Sequence, residues 1–279
     1  MTYAFEDDFT GPAGSAPDPA NWAYDLGGGG WGNNELEIYT SSTENVYVDG
    51  NSNLVIRAVK TVSRGGLSYT SARLKTQGKF SQLGGRFQAR IKLNSQPGLW
   101  PAFWLLGQDI TTVGWPRCGE IDIVEDFGYS AVESSVHAPD GTSTYTASGD
   151  ISDDTDWHVY QFDWDASGFV FSRDGTAYLT VPKTFCPESA WVFGPAEPNN
   201  GGMFILLNLA IGGNAGTPPA SVQFPVEMLV DYVRVQIFGL ARFVFCGNRC
   251  RCEFVACFPC LAFAWPSPCR PQGRQTACG

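Results

Sequence analysis

Short segments of alternating apolar and polar side chains recur along this chain. Residues 86–93 follow a glycine pair and alternate strictly, which is typical of a β-strand buried on one face. Residues 169–173 and 176–181 flank Asp174-Gly175, a dipeptide that favours the type I′ turn of a β-hairpin. Residues 203–211 are apolar on both faces apart from one Asn, as in a buried strand. Because no segment has a convincing helical period, the pattern predicts an all-β sandwich.

Three acidic residues, Glu120, Asp122 and Glu125, interrupt an otherwise apolar segment. Side chains of a strand alternate between its faces, so Glu120 and Asp122 share one face, and Glu125 would point to the other. One extra residue, a β-bulge at Ile123-Val124, would return Glu125 to the shared face. Like charges this close resist ionising together, so such a cluster usually exists for chemistry. We therefore predict a bulged strand that carries an acidic catalytic site.

The spacing of the two Glu residues favours one kind of chemistry. Their Cα atoms would lie roughly 13 Å apart along the strand. Side chains that lean together could reach the ~5–5.5 Å of a retaining glycosidase, whereas an inverting enzyme needs about 6.5–9.5 Å. One carboxylate would attack the sugar and the other would donate a proton, with Asp122 between them. The alternative is a solvated edge strand, which fits poorly because the flanking residues 100–106 are apolar.

Composition excludes several classes of function. The net charge of −10 over 279 residues disfavours nucleic acid and anionic membranes as partners. Only two His residues are present, and no P-loop, dinucleotide fingerprint or His-rich metal site occurs. No apolar run is long enough to span a membrane. Aromatic residues make up 14% of the chain, and their flat faces suit stacking on sugar rings.

Several longer motifs together resemble glycoside hydrolase family 16, and within it the bacterial endo-β-1,3-glucanases, or laminarinases. The resemblance runs from about Tyr3 to Gln236. Its most specific part is the longer spacing between Asp122 and Glu125. Lichenases and xyloglucan transferases have one residue fewer there, whereas laminarinases, agarases and carrageenases share the longer form. The motifs are Trp31-Gly32-Asn33-Asn34-Glu35-Leu36-Glu37, Tyr69-Thr70-Ser71-Ala72-Arg73-Leu74, Gly98-Leu99-Trp100-Pro101-Ala102-Phe103-Trp104, residues 119–125 and Leu229-Val230-Asp231-Tyr232-Val233-Arg234-Val235.

The resemblance implies a concanavalin A-like β-jelly roll, in which two antiparallel sheets form a sandwich with a concave substrate cleft. Glu120 would be the nucleophile, Asp122 its helper and Glu125 the acid/base. The implied reaction is endo-hydrolysis of β-1,3-glucan with retention, through a covalent glycosyl-enzyme. The alternatives are an agar or galactan hydrolase on the same scaffold and a non-catalytic, lectin-like β-glucan-binding protein.

The same resemblance implies a set of substrate-binding residues. Trp100, Trp104 and Trp115 would lie in the cleft, although apolar flanks also suit core packing and we expect one of the first two to contact sugar. Asn34 and Arg73 would bind sugar hydroxyls toward the non-reducing end. The remaining two implied residues are Asn208, which would point into the groove, and His137, which would bind the leaving sugar or Glu125.

No cofactor is expected for catalysis, but the family often holds one structural Ca²⁺. The corresponding positions here are Glu6, Gly50 and Asp231, and oxygen donors suit this ion. The chain begins without a basic, apolar leader, so it is either cytosolic or a mature region, and a polysaccharide substrate favours the mature, secreted form. We expect it to act as a monomer.

The last part of the chain differs from the rest in composition. Residues 1–237 would form the catalytic domain, whereas residues 238–279 hold seven of the nine Cys residues and five Arg against one Glu. A disulfide framework or a zinc site are alternatives for such a segment. Because it shows no repeated spacing and no His, we predict that it is not an independent domain. Cys118 and Cys186 remain in the catalytic domain, and the sequence does not show whether they pair.

Overall fold

The computed structural model describes residues 3–63, 66–140, 143–152, 155–194 and 202–238. Residues 3–238 belong to one unit by their internal contacts. Nearly all of the predicted tail, from residue 239 onward, lies outside the described residues.

A ten-stranded sheet forms one layer of the molecule. Its neighbours run in the order β15-β14-β13-β8-β17-β5-β6-β3, with β1 paired to β17 and β4 paired to β5. All of these pairs are antiparallel except β3 with β6. Its strands are β1 (Phe5–Asp7), β3 (Glu37–Tyr39), β4 (Val46–Val48), β5 (Leu54–Ser63), β6 (Gly66–Ser71), β8 (Gly85–Lys92), β13 (Trp157–Asp165), β14 (Gly168–Arg173), β15 (Thr176–Pro182) and β17 (Val226–Gln236).

A seven-stranded antiparallel sheet forms the second layer, in the order β12-β11-β10-β9-β16-β7-β2. Its central strands, β10, β9 and β16, are the most buried part of the sheet. Its strands are β2 (Ala23–Asp25), β7 (Arg73–Lys75), β9 (Leu99–Gly107), β10 (Glu120–Asp126), β11 (Ala131–Asp140), β12 (Ser143–Ser152) and β16 (Met203–Ile211).

The hydrophobic core lies between the two sheets and is filled by alternate residues of each strand. On β9, Leu99, Phe103 and Leu105 belong to this core, as do Phe87 and Ile91 on β8. Large apolar side chains of this kind each stabilise the fold by about 1.5–3 kcal/mol when fully buried. The remaining residues of the seven-stranded sheet point away from this core. We call the surface that they form the outer face.

The predicted all-β architecture and the predicted hairpin are both confirmed. β14 and β15 pair across Asp174 and Gly175, whose φ angles of 51° and 79° are the positive values that a type I′ turn requires. One short helix, α1 (Ile110–Val113), was not predicted, because four residues are too few to show a helical period. Within the described ranges, no helix has the length and apolar content needed to cross a lipid bilayer.

The predicted β-bulge in β10 is also confirmed. The register shifts between Asp122 and Val124 against β9, and between Asp122 and Glu125 against β11. Ile123 and Val124 both lie in the core, so two consecutive side chains point inward. Glu125 therefore returns to the face that carries Glu120 and Asp122, as the alternation argument required.

Candidate active site

The outer face of the seven-stranded sheet gathers most of the residues that the sequence singled out. Strand register places Glu125 of β10 opposite Ala102 of β9, and Ala102 opposite Asn208 of β16. Asn208 in turn lies opposite Arg73 of β7. One row across the sheet thus runs from an acidic side chain to a cationic one. The residues of this face, by parity along their strands, are Arg73, Trp100, Trp104, Glu120, Asp122, Glu125, His137 and Asn208.

The three acids differ in their exposure. Glu120 and Glu125 are partly exposed, so both carboxyl groups can meet a ligand. Asp122 is only 2% exposed and cannot be reached by a large substrate. The bulge therefore presents two accessible carboxyl groups on either side of a buried one.

Asp122 is held by hydrogen bonds from the neighbouring strand β11. The Ser135 hydroxyl donates to Asp122 Oδ2 at 2.5 Å, and Nε2 of His137 lies 3.3 Å from the same oxygen. Nδ1 of His137 contacts the Thr146 hydroxyl at 2.9 Å. We expected His137 to bind Glu125 or the leaving sugar, but its ring nitrogens are already engaged by Asp122 and Thr146. Register explains the difference, because His137 lies opposite Glu120 and not opposite Glu125.

The surroundings of the two accessible acids favour their protonated forms. Desolvation, followed by the negative charge of Asp122, raises the pKa of Glu120 to about 8. Desolvation and the charges of Asp122 and Glu120 raise the pKa of Glu125 well above its usual value. Trp100 Nε1 donates to Glu125 Oε1 at 2.9 Å, which opposes this rise only in part. Burial and like charge therefore oppose the ionisation of both acids together.

Opposing effects act on His137. Desolvation of the ring lowers its pKa, but the hydrogen bond to Asp122 and the charges of Asp122, Glu120 and Glu133 outweigh this effect. The net result is a raised pKa for His137, so the imidazolium form is favoured beside the acids. Its positive charge in turn favours ionisation of Glu120.

A chain of hydrogen bonds fixes the amide of Asn208. Trp104 Nε1 donates to Asn208 Oδ1 at 2.7 Å, and Asn208 Nδ2 donates to the Tyr39 hydroxyl at 3.2 Å. The Tyr39 hydroxyl donates to Glu35 Oε2 at 3.2 Å. The buried Asn therefore has the partners that a buried amide requires. Its orientation is set by an indole on one side and a phenol on the other.

Arg73 lies between two indole rings. Its guanidinium carbon is 4.6 Å from the centroid of Trp104 and 5.1 Å from that of Trp31. Its Nε is 3.0 Å from Asp25 Oδ2, while Lys75 Nζ approaches the other oxygen of Asp25 at 2.6 Å. Arg73 is therefore more than a partner in a surface ion pair. The ion pair and the two rings together hold its guanidinium group beside Trp104.

Two predicted residues lie in loops at the border of the outer face. Trp115 follows α1 and is 55% exposed, and its ring centroid is 6.4 Å from that of His137. A hydrogen bond with Trp115 also favours the ionised form of Glu120. Asn34 is exposed in the loop before β3, where its φ of 60° is left-handed. Trp100 is largely buried at 8% exposure, so of the first two Trp residues Trp104 is the more accessible.

Comparison with known proteins identifies the family of this chain. The model of glycosyl hydrolases family 16 matches residues 33–223. The chain belongs to glycosyl hydrolase family 16. A β-glucanase of Rhodothermus marinus is 37% identical over 252 residues, which cover 84% of each protein. The range matched by the family model contains all the residues that strand parity places on the outer face.

Solved structures extend the similarity to the fold. The laminarinase catalytic domain of Thermotoga maritima superposes with a TM-score of 0.73 at 34% identity, covering 86% of this chain and 99% of that one. An endo-β-1,3-glucanase of Pyrococcus furiosus has a TM-score of 0.70 at 38% identity, covering 84% and 93%. The expected jelly-roll architecture is therefore confirmed.

Relatives with other names are also found in family 16. A keratan-sulfate endo-1,4-β-galactosidase of Sphingobacterium multivorum is 31% identical over 245 residues, which are 83% of this chain and 54% of that protein. A β-1,3-glucan-binding protein of Penaeus monodon is 31% identical over 187 residues, which are 55% and 49%. Membership of family 16 by itself therefore leaves both alternative functions to be tested.

The three positions expected to bind calcium lie away from the outer face. Glu6 is on β1 and Asp231 on β17, both in the ten-stranded sheet, and Gly50 follows β4. Glu6 Oε1 is 2.9 Å from Arg234, and Asp231 Oδ2 is 2.9 Å from Arg90. Each carboxylate already faces a guanidinium group, so these two side chains do not form a ready-made cation site. The calcium site stays a prediction.

Sequence reasoning missed several residues of the family 16 site. Ser135 could have been found by alternation, because it lies two residues from His137 on the same strand. Trp31, Tyr39 and Glu35 gave no such signal, since they reach the site from a loop and from the other sheet. The two Cys residues that sequence left unassigned, Cys118 and Cys186, are both buried.

Proposed function

We propose that this protein is a retaining endo-β-1,3-glucanase. The observation that carries the proposal is the bulged strand β10, which presents Glu120 and Glu125 as accessible carboxyl groups around a buried Asp122. A pair of carboxyl groups that flank the scissile bond is what glycoside hydrolysis requires. The similarity of the chain to named β-1,3-glucanases supports β-1,3-glucan as the substrate.

The reaction proceeds by two displacements. In the first, Glu120 attacks the anomeric carbon while Glu125 gives its proton to the leaving glycosidic oxygen, and the carbon–oxygen bond breaks. The leaving chain departs with the proton, and a covalent glycosyl-enzyme remains on Glu120. In the second, Glu125 takes a proton from water, the resulting hydroxide attacks the same carbon, and Glu120 leaves as a carboxylate.

The electrostatics support this division of roles. Desolvation and the charges of Asp122 and Glu120 raise the pKa of Glu125 well above its usual value, which favours the protonated form that a proton donor needs. Contacts with His137 and Trp115 favour a charged Glu120, and the nucleophile must be charged to attack. Two acids with different proton affinities are the usual sign of a nucleophile and an acid.

Substrate binding follows from the polar groups beside the acids. Asn208 and Arg73 are fixed on the β16–β7 side of Glu125, where they can bind hydroxyls of the sugar chain on the non-reducing side. Trp115 has an exposed ring beside Glu120 and His137, as a stacking partner for the reacting glucosyl unit should. Asn34 is exposed in the loop on the same border, where its amide would add a hydrogen bond to a sugar hydroxyl.

An assay with three polysaccharides tests the proposal. The purified full chain should release reducing ends from laminarin, fewer from the mixed-linkage glucan lichenan and none from agarose, and the first product should keep the β configuration. Added EDTA should not lower the initial rate, because the two acids supply all the proton transfers. Laminarin that is bound without being shortened would identify a binding protein, and faster release from agarose would identify a galactan hydrolase.

The remaining features of the proposal concern the molecule as a whole. We propose that it is secreted and monomeric, since an endo-acting enzyme must meet a polysaccharide too large to enter the cell. A calcium ion near Glu6, Gly50 and Asp231 would act on stability and not on the rate. In that case EDTA should lower the melting temperature while the initial rate well below it stays unchanged.

A further inference from the structure

A fourth carboxyl group lies on the outer face beside the catalytic acids. Glu133 of β11 is the direct register partner of Glu125 on β10. Directly opposed residues of an antiparallel pair have Cβ atoms about 4.5–5.5 Å apart, and like charges at that distance destabilise the sheet. Glu133 is itself partly buried. The pairing of two acids there is costly for the fold and calls for a functional reason.

Within the described ranges, His137 compensates this charge in part, and no Lys or Arg pairs with it. In the part of the chain that the structure describes, neither Lys nor Arg lies within ion-pair distance of Glu133, whereas Asp25, Asp163 and Asp231 each have an Arg partner. The next strand adds Asp150, the register partner of Glu133 on β12. A row of three carboxyl groups therefore crosses the sheet and ends at the proposed proton donor.

We propose that Glu133 is a positioning residue, whose negative charge opposes ionisation of Glu125 and so keeps the catalytic proton in place until it is transferred. The inference rests on the proposed function, because it assigns Glu133 a role in the same reaction. Glu133 does not need to touch the substrate to act in this way.

The charged groups on all neighbouring strands are consistent with this role. Glu125 faces Asp122 and Glu120 on its own strand and Glu133 on β11, all of which raise its pKa after desolvation, while the Trp100 N–H on β9 lowers it. Desolvation and the charges of Asp122 and Asp150 raise the pKa of Glu133, and His137 opposes them. Glu133 therefore ionises at a higher pH than an ordinary Glu, and its charge then opposes the loss of the Glu125 proton.

The pH dependence of kcat/KM on laminarin tests the proposal. Glu133→Gln keeps the shape of the side chain and removes the charge. The alkaline limb of the kcat/KM profile should therefore move to a pH about 0.5–1 unit lower. The rate on the acid side of the optimum should stay within roughly twofold of the wild type. Glu133→Asp, which keeps the charge, should restore most of the limb. An unmoved alkaline limb in a folded Glu133→Gln protein would overturn the inference.

Further variants separate this role from a merely structural one. Trp100→Phe removes the N–H that stabilises the Glu125 carboxylate, and it should move the limb in the opposite direction. Asp150→Asn should give a smaller shift than Glu133→Gln, because Asp150 is one strand further away. The exposed Glu44→Gln serves as a matched control and should give no shift. Equal shifts in Glu133→Gln and Glu44→Gln would contradict the proposal.

A direct titration distinguishes failure of this inference from failure of the proposed function. The carboxyl carbon of Glu125, followed by NMR in the wild type and in Glu133→Gln, should titrate at a lower pH in the variant. This measurement does not depend on turnover. If laminarin is not cut but the Glu125 titration shifts, only the proposed function fails, and an unshifted titration in an active enzyme defeats the inference alone.

Discussion

Glu120 and Glu125 are the same kind of side chain on the same strand, and their neighbours give them different tasks. Glu120 lies opposite His137, whose positive form favours a carboxylate. Glu125 lies opposite Glu133, whose negative form favours a carboxylic acid. A nucleophile needs the first environment and a proton donor needs the second. In the proposed mechanism, the cross-strand partners therefore add to the difference between the two acids.

Substitution of each acid should separate the two tasks. Glu120→Gln removes the nucleophile and should lower kcat at least about 10³-fold while oligosaccharide binding persists. Glu125→Ala removes the proton donor and should cost roughly 10²–10⁴-fold on laminarin. Substrates with good leaving groups need no such proton, so added azide should attack the covalent intermediate and give a glycosyl azide of retained configuration. Kinetics and product NMR provide the measurement.

The third acid serves as the internal comparison for this pair. Asp122→Asn leaves both reacting groups in place, so its loss of activity should be smaller than that of either Glu variant. The assignment is wrong if Asp122→Asn proves the most damaging, or if azide gives a glycosyl azide of retained configuration with Glu120→Gln and not with Glu125→Ala. Calorimetric titration with a laminarin oligosaccharide shows whether each variant still binds.

At the scale of single residues, alternation was enough to find the acids, because it needs only the sequence of one strand. It could not find Tyr39 or Glu35, which orient Asn208 from outside the seven-stranded sheet. The partner of His137 was also missed. Its identity depends on the pairing of β10 with β11, and register between strands is a tertiary property that no single segment encodes.

At the scale of elements, the bulge in β10 determines which face Glu125 occupies. Val124 lies opposite Phe103, and Glu125 lies opposite Ala102. Ile123 and Val124 therefore occupy the place of one residue in a regular strand. The sequence predicted this bulge because an apolar pair separates two acids that belong on one face. The parallel pairing of β3 with β6 had no such signal, because it depends on the path of the intervening chain.

Deletions within the bulge test this account of β10. Loss of Val124 alone would leave a regular strand, with the Glu still opposite Ala102 and still on the outer face. We expect such a variant to fold, to lose about 1–3 kcal/mol from the missing buried side chain, and to keep measurable activity. Loss of both Ile123 and Val124 would turn the Glu carboxylate toward the core. That variant should be inactive and should unfold at a much lower temperature.

Reducing-end release from laminarin and thermal unfolding of both deletion variants provide the measurements. Deletion of an exposed residue from the turn after β10, such as Ser130, controls for the general effect of shortening the chain. The face argument fails if the single deletion is as inactive as the double one while the control keeps its activity. It also fails if the double deletion retains the turnover of the single one.

At the scale of the whole molecule, buried and half-buried carboxyl groups oppose folding at high pH. Glu120 has a pKa of about 8, raised by desolvation, and so does Glu37, which is 1% exposed and accepts the Ile211 N–H at 2.7 Å. Their ordinary value is 4.5, so between pH 4.5 and about 8 the folded state binds more protons than the unfolded state. The free energy of unfolding must then fall as the pH rises through this window.

Substitution of either residue should stabilise the fold at high pH, but only one of the two substitutions should affect activity. Glu37→Gln and Glu120→Gln each remove an acid whose ionisation opposes folding, so both should melt above the wild type at pH 9. The melting temperature should rise by about 2–4 °C for each kcal/mol added to the free energy of unfolding, and this rise should vanish at pH 4. Glu37→Gln should keep its activity on laminarin, because Gln can still accept the Ile211 N–H. Glu120→Gln should lose activity.

Calorimetric scans at pH 4 and pH 9, with Glu44→Gln as an exposed control, decide the matter. Equal melting temperatures of wild type and Glu120→Gln at pH 9 would show that the nucleophile costs the fold nothing. The expected result is different, because an active site that needs charge in a desolvated place destabilises the protein that carries it. On this argument, the sheet tolerates Glu120 only because hydrolysis requires it, whereas Glu37 could be neutral without loss of function.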